Sequence, residues 1–215
     1  MDQISQQANI WASDFGALYT ERNMPGIEEL DRNFQATFGI ARTAMVEEFF
    51  GGLDRSLRIL EVGCNVGHYL WILQDMGFEN LYGIDVQTRA LEKARSVRPG
   101  IHFVHGNALD IPFKDGYFDL VYTAGVLIHI SPEHIRTAMD EITRCSSRYV
   151  WGFEYWNGAY TEINYRGNSN MLWKADFPRV YMENRPGLRV IKERKFPHLD
   201  GSGNADIAYL IEKKS

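Results

Sequence analysis

The residues best suited to hold a ligand and act on it fall in four short segments. The first is Glu61-Val62-Gly63-Cys64-Asn65-Val66-Gly67. Gly63 and Gly67 allow a backbone to approach a ligand closely and to start a following helix. Asn65, between them, is the non-glycine residue type that best tolerates left-handed geometry. Taken alone, this segment reads more readily as a plain strand-to-helix turn. The second is Asp85, about twenty residues further on, whose carboxylate can accept hydrogen bonds from both hydroxyls of an adenosine ribose. It can equally cap a helix over 86–97. The third is Gly106-Asn107-Ala108-Leu109-Asp110-Ile111-Pro112-Phe113, where an amide side chain and backbone donors can read the edge of an adenine. The fourth is Thr123-Ala124-Gly125-Val126-Leu127-Ile128-His129. An unperturbed imidazole titrates near pH 6.5, so His129 is the candidate general base, or else a residue that packs the next helix.

The elements that must position these groups alternate. Strands are expected at 57–62, 81–84, 101–105, 118–122 and 148–153, with helices at 69–76, 88–97 and from Ser131 to about Arg144. Ser131 is the expected N-cap, with Pro132 in the first turn. Short apolar strands alternating with helices predict an α/β three-layer sandwich around a mostly parallel sheet. Segments 188–196 and 205–212, joined by Asp200-Gly201-Ser202-Gly203, read as a closing hairpin, so the sheet of seven strands ends antiparallel. Helices are expected at 10–22 and at 27–50, the latter with a break near Gly39. Residues 1–50 thus read as a helical cap or lid on a domain spanning 51–215. An aromatic-rich, irregular insertion at 155–180 lies between strands five and six. In such a sheet, ligands bind at the carboxyl ends of the strands, where all four segments fall.

Composition narrows the classes. A net charge of −5 over 215 residues gives no global pull toward nucleic acid or anionic membranes. With 45% hydrophobic and 24% charged residues the chain is of ordinary globular type. Two cysteines, Cys64 and Cys145, make no disulfide framework and fit a reducing, cytoplasmic setting. The polar start Met1–Gln7 has no basic stretch followed by an apolar run, so no signal peptide is expected, and no apolar run is long enough to span a membrane. The six histidines show no metal-ligand spacing with cysteine, so no metal is expected.

Together the four segments resemble, in order and spacing over about residues 57–153, the seven-stranded, Rossmann-like S-adenosylmethionine-dependent methyltransferases. The resemblance implies that Glu61, Gly63 and Gly67 surround the methionine moiety, with Asn65 between them a further candidate cofactor contact. It also implies that Asp85 takes the ribose, Val86 packs on adenine, Asn107 and Ala108 read its edge, and Thr123 borders the cofactor. Asn65 stands where many members carry a third glycine, and Asn107 where many carry aspartate. A dinucleotide is the competing cofactor, but its Gly-x-Gly-x-x-Gly fingerprint is missing here and a diphosphate sits badly near Glu61.

The acceptor is expected to be bound by parts outside the shared core. Trp11, Phe15 and Tyr19 recur every four residues and share a helix face. At that helix end, Tyr19 and Asn23 are candidate substrate contacts, and Arg22 is a candidate clamp for a carboxylate of cofactor or substrate. In the insertion the candidates are Tyr155, Tyr165, Arg166 and Lys174, whose aromatic and basic mixture suits a polar, anionic or hydroxylated small molecule. The pattern Trp11…Phe15…Tyr19…Arg22-Asn23 with Tyr165-Arg166-Gly167 and Lys174-Ala175-Asp176-Phe177 resembles methylases associated with pseudaminic acid and related nonulosonic sugar biosynthesis. That implies a modified sugar or sugar nucleotide as acceptor. Glu154, ending strand five, is the alternative base to His129, and many methyl transfers need only in-line placement. The competing functions are a nucleic-acid (RNA) methyltransferase and a non-catalytic S-adenosylmethionine-binding protein. Thr123-Ala124-Gly125-Val126, in place of an Asn-Pro-Pro-Tyr type segment, argues against the nucleic-acid enzyme.

Overall fold

The computed structural model describes residues 6–22, 24–183 and 185–214. Helices α1 (Gln6–Ala12), α2 (Asp14–Arg22), α3 (Ile27–Phe38) and α4 (Arg42–Phe50) come first. There follow β1 (Arg58–Val62), α5 (His68–Asp75), β2 (Asn80–Asp85), α6 (Thr88–Val97), β3 (His102–His105), β4 (Phe118–Ala124), α7 (Ile135–Cys145) and β5 (Ser146–Trp156). The remainder is β6 (Thr161–Tyr165), β7 (Asn168–Lys174), α8 (Phe177–Met182), β8 (Leu188–Pro197) and β9 (Ala205–Lys213).

Seven strands form one sheet in the order β3-β2-β1-β4-β5-β9-β8, with β6 and β7 paired separately. The pairs among β1 to β5 are parallel, and β9 runs antiparallel to both β5 and β8. This is the expected mostly parallel sheet with an antiparallel end. Alternation along β1 assigns its two faces. Ile59 packs with Phe49, Phe50, Leu73 and Leu91 from α4, α5 and α6. Leu60 and Val62 pack with Ile135, Met139 and Ile142 of α7 and with Phe177 and Tyr181 of α8. Helix α7 buries Ile135, Ala138, Met139, Ile142 and Cys145, the i, i+3, i+4 spacing of one apolar stripe. Each large side chain so buried contributes roughly 1.5–3 kcal/mol. No helix among the described residues is long and apolar enough to cross a membrane.

Three local expectations are corrected. The helix expected over 10–22 is two helices meeting at Ser13. The Ser13 hydroxyl donates to the Ile10 carbonyl (2.6 Å) and accepts from the Phe15 N–H (3.3 Å), a local alternative to the helical ladder. The helix expected from Ser131 starts at Ile135. The Ser131 carbonyl accepts from the N–H groups of His134 and Ile135, and its hydroxyl pairs with the His134 ring instead of capping a backbone donor. The stretch expected to be irregular continues β5 to Trp156 and then forms the β6–β7 hairpin, turning at Arg166 (φ 51) and Gly167 (φ 83). Two consecutive left-handed residues are what a tight two-residue hairpin turn requires. The expected break near Gly39 is present, with Gly39 left-handed (φ 74) at the end of α3.

Candidate functional site

A cavity of about 320 Å³ opens at the carboxyl ends of β1, β2 and β4. Its floor is the loop after β1. Gly63 takes φ 73, Asn65 φ 49 and Gly67 φ 85. A Cβ on Gly63 would lie 2.6 Å from Val126 Cγ2, and one on Gly67 3.0 Å from the Phe103 ring, so both positions need glycine for space as well as conformation. The N–H groups of Gly63 and Cys64 both donate to the Ile84 carbonyl, which ties the loop to the end of β2. Asp85 completes the tie: its carboxylate accepts from the N–H of Asn65 (2.8 Å) and of Gln87 (2.7 Å). The Asn65 side chain spans the gap to α2, its carbonyl oxygen accepting from the Val66 N–H and its amide donating to the Thr20 hydroxyl (2.9 Å).

Two carboxylates therefore face one cavity. Glu61 is buried and accepts a hydrogen bond from the Tyr122 hydroxyl at 3.1 Å, yet burial pushes its pKa well above the usual carboxylate value. Burial also raises Asp85, against its two backbone N–H donors. Both shifts come first from burial, and two acids on one wall would repel an anionic diphosphate wherever they ionise. Asn107, Ala108 and Val86 line the same cavity. The Asn107 side-chain oxygen already accepts from the Leu109 N–H (3.0 Å), which leaves it one further acceptor position.

Other wall residues had no signal in the sequence. Arg42, the first residue of α4, lies over the rings of Phe34 (5.5 Å) and Tyr69 (5.1 Å), and its Nε is buried with no hydrogen-bond partner among the described residues. His68 stands beside it with Nε2 in the same condition. Burial and the Arg42 charge push its pKa down to about 4. The Arg42 Nε–H is a buried donor waiting for an acceptor, whereas the neutral His68 ring, which donates to the Pro25 carbonyl, keeps a lone pair on Nε2. Buried Gln87 donates through Nε2 to the carbonyls of Trp11 and Ser13, both 3.1 Å, and so pins α1 and α2 over the cavity mouth. Gln7 makes a similar bond to the Asn170 carbonyl of β7.

His129 is on the cavity wall, at the end of a short 3-10 turn, Leu127–His129. Its Nδ1 lies 2.7 Å from the Met171 carbonyl. A carbonyl only accepts, so Nδ1 carries the proton and Nε2 keeps its lone pair. Burial lowers the ring to about 4, which leaves it neutral at physiological pH. Trp11 (4.7 Å) and Tyr165 (5.2 Å) flank it edge-on, and Tyr19 meets Trp11 at 5.2 Å. Tyr19, Trp11, His129 and Tyr165 thus form one aromatic group, although Tyr165 is not itself on the cavity wall. Glu154 is fully buried and off the wall. Its oxygens accept from the N–H groups of Val126, Leu127 and Ile128. Its carboxylate is committed to backbone rather than open to a ligand.

The other expected site residues lie elsewhere. Thr123 is buried beside Glu154, behind the wall. Gly67 acts from below as the start of α5. Arg22 is exposed at the end of α2 and does not reach the cavity; Arg42 is the guanidinium that does. Asn23 lies outside the described residues. Arg166 is exposed at the hairpin tip over the Tyr165 ring, Lys174 donates to the Asn204 side chain at 2.6 Å, and Tyr155 is 36% exposed.

Residues 59–148, from β1 into β5, match the family described as a methyltransferase domain. That stretch holds Glu61, Gly63, Asn65, Gly67, Asp85, Asn107 and His129, and leaves out α1–α4 and the strands after β5. The O-methyltransferase rstn1 of Aspergillus nomiae is 33% identical over 96 residues, 42% of this chain and 42% of that protein. A tRNA U34 carboxymethyltransferase of Psychromonas ingrahamii is 31% identical over 102 residues, 45% of this chain and 29% of that protein. The chain spans about half the length, or less, of the curated relatives it matches. Among solved structures, the 1,6-didemethyltoxoflavin-N1-methyltransferase of Burkholderia thailandensis, with bound 1,6-didemethyltoxoflavin and S-adenosylhomocysteine, superposes with a TM-score of 0.69. The match covers 97% of this chain and 89% of that one at 14% identity, a likeness of fold.

Proposed function

We propose that this protein, built around a methyltransferase domain, transfers a methyl group from S-adenosylmethionine to an oxygen or nitrogen of a small polar acceptor. One observation carries the reading. Two carboxylates, Glu61 and Asp85, and the Arg42 guanidinium, its Nε buried, open on one cavity floored by the left-handed loop Gly63–Gly67. That polarity matches the cofactor. Asp85 would accept from the ribose hydroxyls, Glu61 from the methionine ammonium, and Arg42 would donate to the methionine carboxylate. Arg42 thus takes the clamp role first assigned to Arg22. Bound there, S-adenosylmethionine supplies an activated methyl group on a sulfonium, which the acceptor takes in line.

The protein's own residues would do the rest. His129 presents the unprotonated Nε2 to the cavity and would accept the acceptor's proton as the new bond to carbon forms. A ring with a pKa near 4 is a weak base but is ready in the neutral form at any pH above 5. Trp11 and Tyr19 would pack around the acceptor, with Tyr165 backing His129 from behind, and α1 and α2 would exclude water once Gln87 and Asn65 hold them in place.

Nonulosonic sugars and sugar nucleotides are the first acceptors to test. RNA is the second reading, favoured by the tRNA-modifying relative. The basic strip on β8 does not support it, since Arg189 pairs with Glu212 and both Lys192 and Arg194 with Glu48. The test is transfer of radiolabelled methyl from S-adenosylmethionine to two panels, one of sugars and small hydroxy acids, one of bulk transfer RNA. Label in the first panel alone is expected. Label in transfer RNA alone would overturn the acceptor class, and label in neither, together with no cofactor binding, would overturn the enzyme.

A further inference from the structure

Glu154 is a carboxylate in a place where an ion is costly. It is fully buried, and no arginine, lysine or histidine pairs with it among the described residues. The titratable groups near it are the phenols of Tyr69, Tyr155, Tyr160, Tyr181 and Tyr209, each raised by burial. A leucine or methionine would fill the same volume without the desolvation cost. The carboxylate instead meets three successive backbone donors, Val126 N–H (3.2 Å), Leu127 N–H (3.2 Å) and Ile128 N–H (3.4 Å). Those are the residues just before His129.

We infer that Glu154 is a positioning residue, whose carboxylate fixes the turn at 126–128 and thereby aims the His129 imidazole into the cavity. The turn leaves β4 at Gly125, whose N–H donates to the Phe153 carbonyl (2.9 Å). It closes with the His129 N–H on the Val126 carbonyl (2.9 Å). Glu154 is itself held in β5, between β4 and β9, opposite Ile207. The central strands of the sheet thus reach the ring through one side chain, and the Met171 carbonyl fixes its rotation from the β7 side. Two independent anchors, one on the backbone before the ring and one on Nδ1, leave Nε2 a single direction. The inference rests on reading His129 as the proton acceptor, and it moves Glu154 from alternative base to support of the base.

The test is the ring spectrum of His129 in nitrogen-15 NMR, read without cofactor in the unmutated protein, Glu154→Gln and Glu154→Ala. The unmutated ring should show one tautomer, protonated at Nδ1. Glu154→Ala should mix the tautomers and move the His129 ionisation up by at least one pH unit toward 6.5, as the turn loosens and water reaches the ring. Glu154→Gln, which keeps one acceptor oxygen, should fall between. S-adenosylhomocysteine affinity should stay within about threefold of the parent in both. An unchanged His129 tautomer and ionisation in the folded variants would overturn the inference. If Glu154→Ala does not fold, Glu154→Gln decides. If neither folds, the unmutated protein does, because the amide protons of Val126, Leu127 and Ile128 must then shift together as one carboxyl group titrates, and independent behaviour would overturn the inference. Failure of the unmutated protein to bind S-adenosylhomocysteine would count against the methyltransferase reading and not against this one.

Discussion

The Asn65 side-chain amide donates to the Thr20 hydroxyl across 2.9 Å, joining the loop on the cavity floor to a helix over its mouth. The Thr20 hydroxyl also donates to the Gly16 carbonyl (3.1 Å), so its one proton is in use and the Asn65 amide takes one of its acceptor positions. Together with Gln87 on the Trp11 and Ser13 carbonyls, this bond makes the position of α2 depend on the conformation of the loop beneath it. A cofactor leaving the cavity has to break that clasp or pass around it.

Thr20→Val keeps the shape and removes the hydroxyl. One neutral hydrogen bond contributes about 1 kcal/mol, which is roughly fivefold in an equilibrium constant. S-adenosylhomocysteine should dissociate about fivefold faster from the variant in a stopped-flow displacement experiment. Equal dissociation rates would show that α2 does not gate the cavity.

Arg42→Met separates binding from stability. The half-buried Arg42 side chain has ring contacts, and its buried Nε has no hydrogen-bond partner among the described residues, so the desolvation of that group is poorly offset in the free protein. A charge-assisted pair with the methionine carboxylate contributes about 2 kcal/mol when cofactor is present. The variant should keep or raise its thermal midpoint while binding S-adenosylhomocysteine about thirtyfold more weakly. Lower stability with full affinity would remove Arg42 from the cofactor site.

Acid should destabilise the protein through its buried imidazoles. Burial holds His68 and His129 neutral down to about 4, whereas the unfolded chain protonates both near 6.5. Between those values the unfolded state binds protons that the folded state does not, so stability falls as pH drops through the window. Glu154, raised to about 7, and Asp206, raised to about 6, act in the opposite sense, with stability lost as pH rises through their window. The two sets oppose each other in the parent, but His68→Gln removes one imidazole and leaves the acids alone. Urea midpoints at pH 7 and pH 5 should therefore show a smaller acid loss in His68→Gln, by on the order of 1 kcal/mol. An identical loss in both would mean that His68 is not buried neutral.

The same ring chemistry shapes the rate. With His129 unprotonated above about 5, methyl transfer should not show a limb near pH 6.5, the value of a free imidazole. His129→Ala should lower the rate by a factor on the order of 100. A limb at 6.5 in the parent, or an unchanged rate in the variant, would remove His129 as the base.

The strand ends and their polar residues were legible because the signals are local. A left-handed loop needs Gly63, Asn65 and Gly67 wherever the rest of the chain goes, and Asp85 ends its strand within one βαβ unit. The closing hairpin was legible for the same reason. Arg42 and His68 were not, because Arg42 reaches the cavity only through the packing of α4 against α5, where His68 begins, and neither residue carries a motif. Arg22, expected as a clamp from its position at a helix end, is exposed and off the cavity wall. The β6–β7 hairpin was missed although Glu162, Ile163, Asn164 and Tyr165 alternate in exposure. Its strand of five residues is short, and Arg at a left-handed turn position is an uncommon signal. Glu154 was seen as a polar residue at a strand end, and only its three backbone partners show that it faces the turn and not the cavity.

The central claim is that the cavity holds S-adenosylmethionine by its ribose and methionine ends, and calorimetry with S-adenosylhomocysteine tests it most directly. One equivalent should bind the parent. Asp85→Ala should bind at least about tenfold more weakly, since each hydrogen bond to a charged group contributes about 1.5–3 kcal/mol. No heat of binding to the parent, or equal affinity in Asp85→Ala, would contradict the account.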